Sequence, residues 1–156
     1  MNMIRARETQ VDDCPIAVIV SEYNRDITLA LQEGAVAQLL KKGISESNIL
    51  VVTVPGGVEI PIVAQRLAKT KQYAAIVTLG VVIRGETTHY DYVCEQVSQG
   101  CQQVALAYDV PVIFGLVTTE TKAQAWDRVG GDRGHKGVDA ADTALVMIDV
   151  LQQLTV

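Results

Sequence analysis

The segment from Gly80 to His89 holds residues whose types and spacing suit anion binding beside a proton-transfer group. Gly85 permits a close approach to backbone N–H groups, and the hydroxyls of Thr87 and Thr88 add donors where a helix is expected to begin. His89 follows directly, and because histidine is the side chain best suited to proton transfer near neutral pH, it could pass protons to or from a bound substrate. The pattern predicts a phosphate site, but not a Walker-type loop, because the Gly-Lys-Ser/Thr ending is missing.

A second glycine-rich turn, Pro55-Gly56-Gly57-Val58-Glu59, also permits close approach of the backbone to a ligand. Glu59 is expected in the first turn of the next helix, where the helix dipole favours a carboxylate. It could act there only as a capping acid, or it could accept hydrogen bonds from the hydroxyls of a sugar or polyol. The residue types alone leave both roles open.

Tyr23 and Asn24 follow the first apolar run in a chain with only 4% aromatic residues. The scarcity of rings makes an aromatic residue at this position a candidate for ligand contact. The Tyr23 ring could stack on a planar heterocycle, or it could simply cover the end of the sheet.

Positive charge gathers near the C-terminus, at Arg128, Arg133, His135 and Lys136. A small anionic ligand or a solvated loop would each explain this cluster. The guanidinium of Arg128 matches the geometry of phosphate oxygens, which makes it the candidate clamp. A metal site is not expected, because the two histidines are far apart in sequence and no Cys/His pair has ligand spacing.

Short, β-branched and almost continuously apolar runs predict strands buried on both faces of a parallel sheet. They cover residues 16–20, 49–54, 74–79 and 110–117. Helical spacing of apolar residues predicts helices over 27–42, 58–70, 88–108 and 137–154. The alternation predicts one α/β domain over residues 1–156, with a doubly wound sheet and helices on both faces. Binding residues are expected outside the carboxyl ends of the strands, which is where the segments above fall.

Residues 1–13 precede the sheet and are expected to form an arm. Met3 to Arg7 could form a short edge strand, and a neighbouring subunit could provide the sheet with which it pairs.

The composition argues against several classes of protein. A net charge of −5 without a basic run does not suit nucleic acid binding. No apolar run reaches the roughly 18–20 residues of a membrane span, and the first residues lack the apolar region of a secretory signal, so a cytoplasmic location is expected. The cysteines, Cys14, Cys94 and Cys101, are too few for a disulfide framework. For Cys94 and Cys101 burial as small hydrophobic residues is expected, with a catalytic thiol as the alternative.

Taken in register, these motifs resemble those of the 6,7-dimethyl-8-ribityllumazine synthase family over nearly the full chain. The most specific pieces are Pro55 to Pro61, Val82 to Val93 and Val117 to Glu120. The resemblance implies a flavodoxin-like three-layer sandwich with a central four-stranded parallel sheet. It also implies a transferase that condenses 5-amino-6-(D-ribitylamino)uracil with 3,4-dihydroxy-2-butanone 4-phosphate, the penultimate step of riboflavin biosynthesis, without a cofactor or metal.

The resemblance also implies roles for single residues, by motif position. His89 would transfer protons, and phosphate would be bound by Gly85, Glu86, Thr87 and Arg128. The pyrimidine and ribityl groups would contact Tyr23, Asn24, Gly57, Val58, Glu59, Val82, Ile83, Phe114 and Lys136, with Phe114 reaching in from the adjacent subunit. The reagents are intrinsically reactive, so orientation and proton shuttling are expected to contribute more than a strong nucleophile.

Three positions depart from the commonest pattern of the family. Tyr23 stands where phenylalanine is usual, Val58 replaces a frequent aromatic residue, and Val81 replaces a frequent threonine. None of them removes a proton-transfer or phosphate-binding group, so any effect is expected on the affinity for the pyrimidine.

Members of this family form pentamers, and some pack twelve pentamers into icosahedral cages. The resemblance implies a homopentamer and a functional association with riboflavin synthase. The segment Gly130 to His135 differs from the common Gly-Thr-Lys-Ala-Gly-Asn pattern, so the sequence does not decide whether the pentamers form a cage. Two alternatives remain: an archaeal-type riboflavin synthase, whose motifs diverge from these, and a flavodoxin-like module or cage protein that binds flavins without turnover. A simple flavin binder would have no use for a phosphate clamp.

Overall fold

The computed structural model describes residues 1–7 and 11–154, and its centre is a four-stranded parallel sheet. The strands are β1 (Ile16–Ser21), β2 (Ile49–Val54), β3 (Ala75–Ile83) and β4 (Val112–Thr119). Their order is β2-β1-β3-β4, so β1 and β3 are interior and β2 and β4 form the edges. Every residue of β1 is buried, as expected for a strand covered on both faces. The predicted parallel α/β sheet is confirmed.

Helices follow the strands and cover both faces of the sheet. They are α1 (Arg25–Lys41), α2 (Ile60–Lys69), α3 (His89–Tyr108), α4 (Lys122–Trp126) and α5 (Lys136–Gln153). α1 and α5 pack against one face and α2 and α3 against the other, so the sheet separates two hydrophobic cores. In the part of the chain that the structure describes, no helix is long and apolar enough to cross a membrane.

β3 is longer than the apolar run that predicted it. It continues past Leu79 to Ile83, because Val82 and Ile83 pair with Thr118 and Thr119 of β4. Gly80, which looked like a strand end, lies inside the strand, where an added Cβ would come within 2.7 Å of the Ser21 hydroxyl oxygen. The glycine therefore reflects close packing, and the prediction that the strand ends at Leu79 is wrong.

The region after β4 contains elements that the sequence patterns did not indicate. The Thr121 side chain caps α4 by accepting a hydrogen bond from Gln124 N at 3.2 Å. A short antiparallel hairpin follows, formed by β5 (Val129–Gly131) and β6 (Gly134–His135). Gly130 and Gly134 have φ of 101° and 76°, a left-handed conformation that favours glycine.

The start of the N-terminal arm lies against α5. The Arg7 guanidinium forms an ion pair with Asp149, and Gln153 Nε2 donates a hydrogen bond to Arg5 O at 2.9 Å. Residues 1–7 form no strand within this chain, and residues 8–10 of the arm lie outside the described residues. Pairing of the arm with a neighbouring subunit stays a prediction.

Candidate active site

The ends of β1 and β2 bring Tyr23 and Glu59 together. Glu22 N donates to Val54 O at 2.9 Å, which continues the pairing of the strands beyond the sheet. A Cβ added to Gly56 would lie 3.1 Å from Cδ2 of Tyr23 and 3.0 Å from a carboxylate oxygen of Glu59. The ring and the carboxylate therefore meet above Gly56, and with 71% of its surface exposed Tyr23 is open to a planar ligand.

Asn24 forms the backbone turn between β1 and α1. Its φ of 58° is left-handed, a conformation that asparagine adopts more readily than most residues. Its carbonyl accepts hydrogen bonds from Ile27 N at 2.9 Å and Thr28 N at 3.0 Å. The left-handed backbone conformation accounts for an asparagine at this position, and contact with a ligand stays a prediction.

Gly57, Val58 and Glu59 form a 3₁₀ turn immediately before α2. The expectation that Glu59 lies in the first turn of the helix is wrong by one residue, because α2 begins at Ile60 and Glu59 is the residue before it. An added Cβ on Gly57 would lie 3.2 Å from Val97 Cγ2 of α3, so this glycine permits the turn to pass close beneath that helix. Val58 is exposed and Glu59 half-buried. Both are accessible from solvent at the same edge of the sheet as Tyr23.

Val82 and Ile83 are both half-buried at the end of β3. Successive residues of a strand point to opposite faces, and Val82 packs on the α2/α3 core whereas Ile83 packs on the α1/α5 core. The two side chains therefore cannot line the same wall of a pocket. If both residues touch the pyrimidine, at least one does so through its backbone.

The loop from Gly85 to Thr88 is exposed and leads directly into α3, whose first residue is His89. His89 N donates to the Thr87 hydroxyl at 3.3 Å, while the His89 side chain is exposed. An added Cβ on Gly85 would meet nothing within 4 Å, and Gly85 is not among the glycines with positive φ in the described residues. Neither packing nor backbone conformation within the chain accounts for this glycine. Contact of Gly85 with a ligand stays a prediction.

A cationic cavity of about 320 Å³ lies beside edge strand β4. Its walls consist of Leu116, Val117, Thr118, Arg128, Arg133, Lys136 and Asp139. Backbone bonds from Lys136 N to Arg128 O at 2.7 Å and from Arg133 N to Asp127 O at 2.8 Å fold the hairpin so that the cations converge. The Arg128 guanidinium is also anchored, since Nη1 donates to Gln124 O at 2.7 Å. With three cationic side chains against one carboxylate, this cavity suits an anion.

The sequence profile of a family described as 6,7-dimethyl-8-ribityllumazine synthase matches residues 13–152. The chain belongs to this family. A 6,7-dimethyl-8-ribityllumazine synthase of Coxiella burnetii is 54% identical to it over 141 residues, which cover 90% of this chain and 93% of that protein. One of Parabacteroides distasonis is 48% identical over 134 residues, which cover 86% and 84%. The resemblance predicted from the motifs is confirmed.

Within this lumazine synthase fold, the predicted site residues form two groups in a single chain. Tyr23, Glu59 and the loop from Gly85 to His89 lie at the carboxyl ends of β1, β2 and β3. Arg128 and Lys136 line the cationic cavity, and among the described residues of its wall there is no residue of the first group. Phe114 is exposed on β4, the strand that also borders this cavity.

The cysteines of this lumazine synthase family member suit a packing role. Cys101 is buried in the α2/α3 core, and burial raises the pKa of its thiol to about 11. Burial also raises the pKa values of Cys94 and Cys14, which are half-buried. The thiolate is the nucleophilic form, so these pKa shifts argue against thiol catalysis at neutral pH. The burial predicted for Cys101 is confirmed, and that of Cys94 is partial.

Proposed function

We propose that the edge of the sheet at Tyr23, Glu59 and Gly85 to His89 is where this chain carries out the lumazine synthase reaction. The reaction joins 5-amino-6-(D-ribitylamino)uracil and 3,4-dihydroxy-2-butanone 4-phosphate into 6,7-dimethyl-8-ribityllumazine, and phosphate and water leave. One observation carries the assignment: an exposed loop, with open space beside Gly85, ends at a histidine that begins α3. This loop can present donors to a phosphate within reach of a proton-transfer group.

The pyrimidine is assigned to the surface beside Tyr23. Its ring is exposed next to Gly56 and the Glu59 carboxylate, so a planar heterocycle can stack on it while a polar tail reaches the carboxylate. The Glu59 carboxylate would accept hydrogen bonds from the ribityl hydroxyls, and the backbone of Gly57 and Val58, in the turn before α2, would supply further hydrogen-bonding groups. Asn24 flanks the ring as the left-handed start of α1. The Val82–Ile83 backbone would complete the wall.

The phosphate is assigned to the loop Gly85, Glu86 and Thr87. Backbone N–H groups just ahead of a long helix are unpaired by the helix and favour an anion, and the Thr87 hydroxyl is a further donor. Glu86 would act through its backbone, because its carboxylate carries the same sign of charge as the phosphate. Arg128 would supply the counter-charge.

His89 is assigned to proton transfer. The attack of the uracil amine on the ketone generates a hydroxyl that must be protonated to leave as water. Elimination of phosphate then requires that a proton be taken from carbon. An exposed imidazole two residues beyond Thr87 can serve both steps, because the histidine side chain is suited to act as both a general acid and a general base.

A complete site would require a second copy of the chain. Phe114 and the cationic cavity share β4, so a neighbour that contributes the Phe114 ring also brings Arg128 and Lys136 towards the first chain. The separation of the two groups within one chain supports this arrangement. From the family resemblance, we propose that the assembly is a homopentamer. We also propose that it is located in the cytoplasm and works with riboflavin synthase. Whether twelve pentamers pack into a cage is a question for measurement.

Mixing the purified protein with both substrates tests the function directly. Lumazine fluorescence that appears only when both substrates are present is expected. Riboflavin binding without formation of lumazine would instead identify a flavin-binding protein. Analytical ultracentrifugation of the same sample tests the pentamer, and activity in a sample that is entirely monomeric would refute the shared site.

A further inference from the structure

The Arg84 side chain is held between carboxylates of two other elements. Its Nη2 lies 3.1 Å from Asp91 Oδ1 of α3, and its Nε lies 2.8 Å from Glu120 Oε2 just after β4. The guanidinium carbon lies 4.3 Å from the centre of the Tyr90 ring, a distance at which a cation is attracted to the ring face. The sequence motifs did not single out this arginine for a role.

These contacts span the phosphate loop. Arg84 is the last residue before Gly85, and Asp91 lies in the first turn of α3, beyond His89. The Arg84–Asp91 pair therefore ties together the chain before and after the loop. The backbone adds a bond at the same point, because Arg84 N donates to Thr119 O at 2.9 Å. The chain is thus fixed on both sides of the exposed loop.

The charge of this cluster does not suit direct phosphate binding. Arg84 faces two carboxylates, so the group of Arg84, Asp91 and Glu120 carries a net negative charge. Hydrogen bonds to Asp91 and Glu120 raise the pKa of Arg84, which keeps the guanidinium charged and paired. A phosphate would have to displace a carboxylate to reach it.

We propose that Arg84 is a positioning residue for the lumazine synthase reaction: it fixes the direction of the backbone donors from Gly85 to Thr87 and the place of His89 without touching the phosphate. The inference rests on the proposed phosphate site. Ordering the loop before substrate arrives lowers the conformational cost of binding, and small displacements of reacting groups have large effects on rate.

Steady-state kinetics of R84Q, D91N and E120Q test the proposal. Loosening the loop in R84Q is expected to raise the KM for the butanone phosphate and lower kcat, together by roughly 10-fold to 10²-fold in kcat/KM, with little change in the KM for the pyrimidine. D91N and E120Q should act in the same direction. If Arg84 were instead a counter-charge for phosphate, removal of a competing carboxylate would lower the KM for the butanone phosphate. A lowered or unchanged KM in D91N would overturn the proposal.

Three controls separate positioning from general loss of structure. R66Q removes the same charge at an exposed position in the last turn of α2 and is expected to behave like the parent protein. R84K keeps the charge but not the planar fork and should recover only part of the activity. Thermal unfolding of R84Q shows whether the fold survives, and equal increases in both KM values would identify a merely structural role. If the parent protein forms no lumazine, the proposed function is wrong. If the parent protein is active and R84Q has the same kcat and KM values, only the proposed role of Arg84 is wrong.

Discussion

The imidazole of His135 occupies the space that a side chain at position 34 would need. A Cβ added to Gly34 in α1 would lie 2.1 Å from Cε1 and 2.6 Å from Nε2 of His135. His135 precedes α5, and its Nδ1 accepts a hydrogen bond from Val138 N at 3.4 Å. Gly34 thus allows His135 to pack against α1. Because His135 is followed directly by Lys136, which lines the cationic cavity, this packing also affects the cavity.

The variant G34A should be destabilised, although Gly→Ala inside a helix usually stabilises by about 0.5–1 kcal/mol. Here the new methyl group meets the His135 ring, and overpacking typically costs about 1–3 kcal/mol. Chemical denaturation should therefore show a lower free energy of unfolding for G34A. Displacement of His135 should also disturb Lys136 and raise the KM for the butanone phosphate.

The same substitution in the H135A background serves as the control. Without the ring, the added methyl group has room, so G34A should become neutral or stabilising there. A similar loss of stability in both backgrounds would show that His135 is not the cause.

Tyr23 offers a test of the pyrimidine surface. Y23F keeps the ring and should leave the KM for the pyrimidine within about two-fold, whereas Y23A should raise it by roughly 10-fold, about the worth of a good aromatic contact. The KM for the butanone phosphate should change little in either variant. Loss of pyrimidine affinity in Y23F equal to that in Y23A would assign the role to the hydroxyl, not the ring.

Substitutions of His89 and Arg128 should affect different steady-state constants. H89A should lower kcat by about 10²-fold, because general acid–base catalysis contributes on that order. R128A should produce the larger loss in kcat/KM through weaker phosphate binding and raise the KM for the butanone phosphate. An unchanged KM in R128A would remove that residue from the phosphate site.

The layered fold followed from sequence pattern because buried parallel strands are short, β-branched runs with helical spacing between them. β1 and β2 match their predicted ranges closely. The predicted range of β3 was too short. A glycine such as Gly80 usually indicates the end of a strand, but here it allows close packing against Ser21, which is distant in sequence. The β5–β6 hairpin could not be predicted from the sequence either, because its short strands have no periodic apolar pattern.

The candidate site could be predicted only in part for a similar reason. Gly85, Thr87 and His89 lie within five consecutive residues, so their chemistry could be inferred directly from the order of residues. Arg84 was overlooked because its partners, Asp91 and Glu120, come from other elements. The direction of Val82 and Ile83 depended on the extension of β3, which the apolar pattern did not reveal.

The ion pair between Lys122 and Asp26 predicts a specific loss of stability in acid. Lys122 Nζ lies 2.8 Å from Asp26 Oδ2 and joins α4 to the first turn of α1. This hydrogen bond lowers the pKa of Asp26, so the folded protein favours the ionised carboxylate. The pair therefore contributes stability above the ordinary pKa of aspartate, about 3.9, and loses that contribution as pH falls through the lower folded value.

D26N should accordingly unfold at a lower urea concentration than the parent protein at pH 7, and the difference should shrink towards pH 3 and below. The effect should be small because both side chains are about half exposed. E33Q, which removes the same charge at an exposed position elsewhere in α1, provides a matched comparison for the loss of a negative charge alone. A difference between D26N and the parent that stays constant from pH 7 to pH 3 would show that the ion pair is not responsible. Because α4 also carries the Gln124 carbonyl that binds Arg128, D26N should raise the KM for the butanone phosphate slightly.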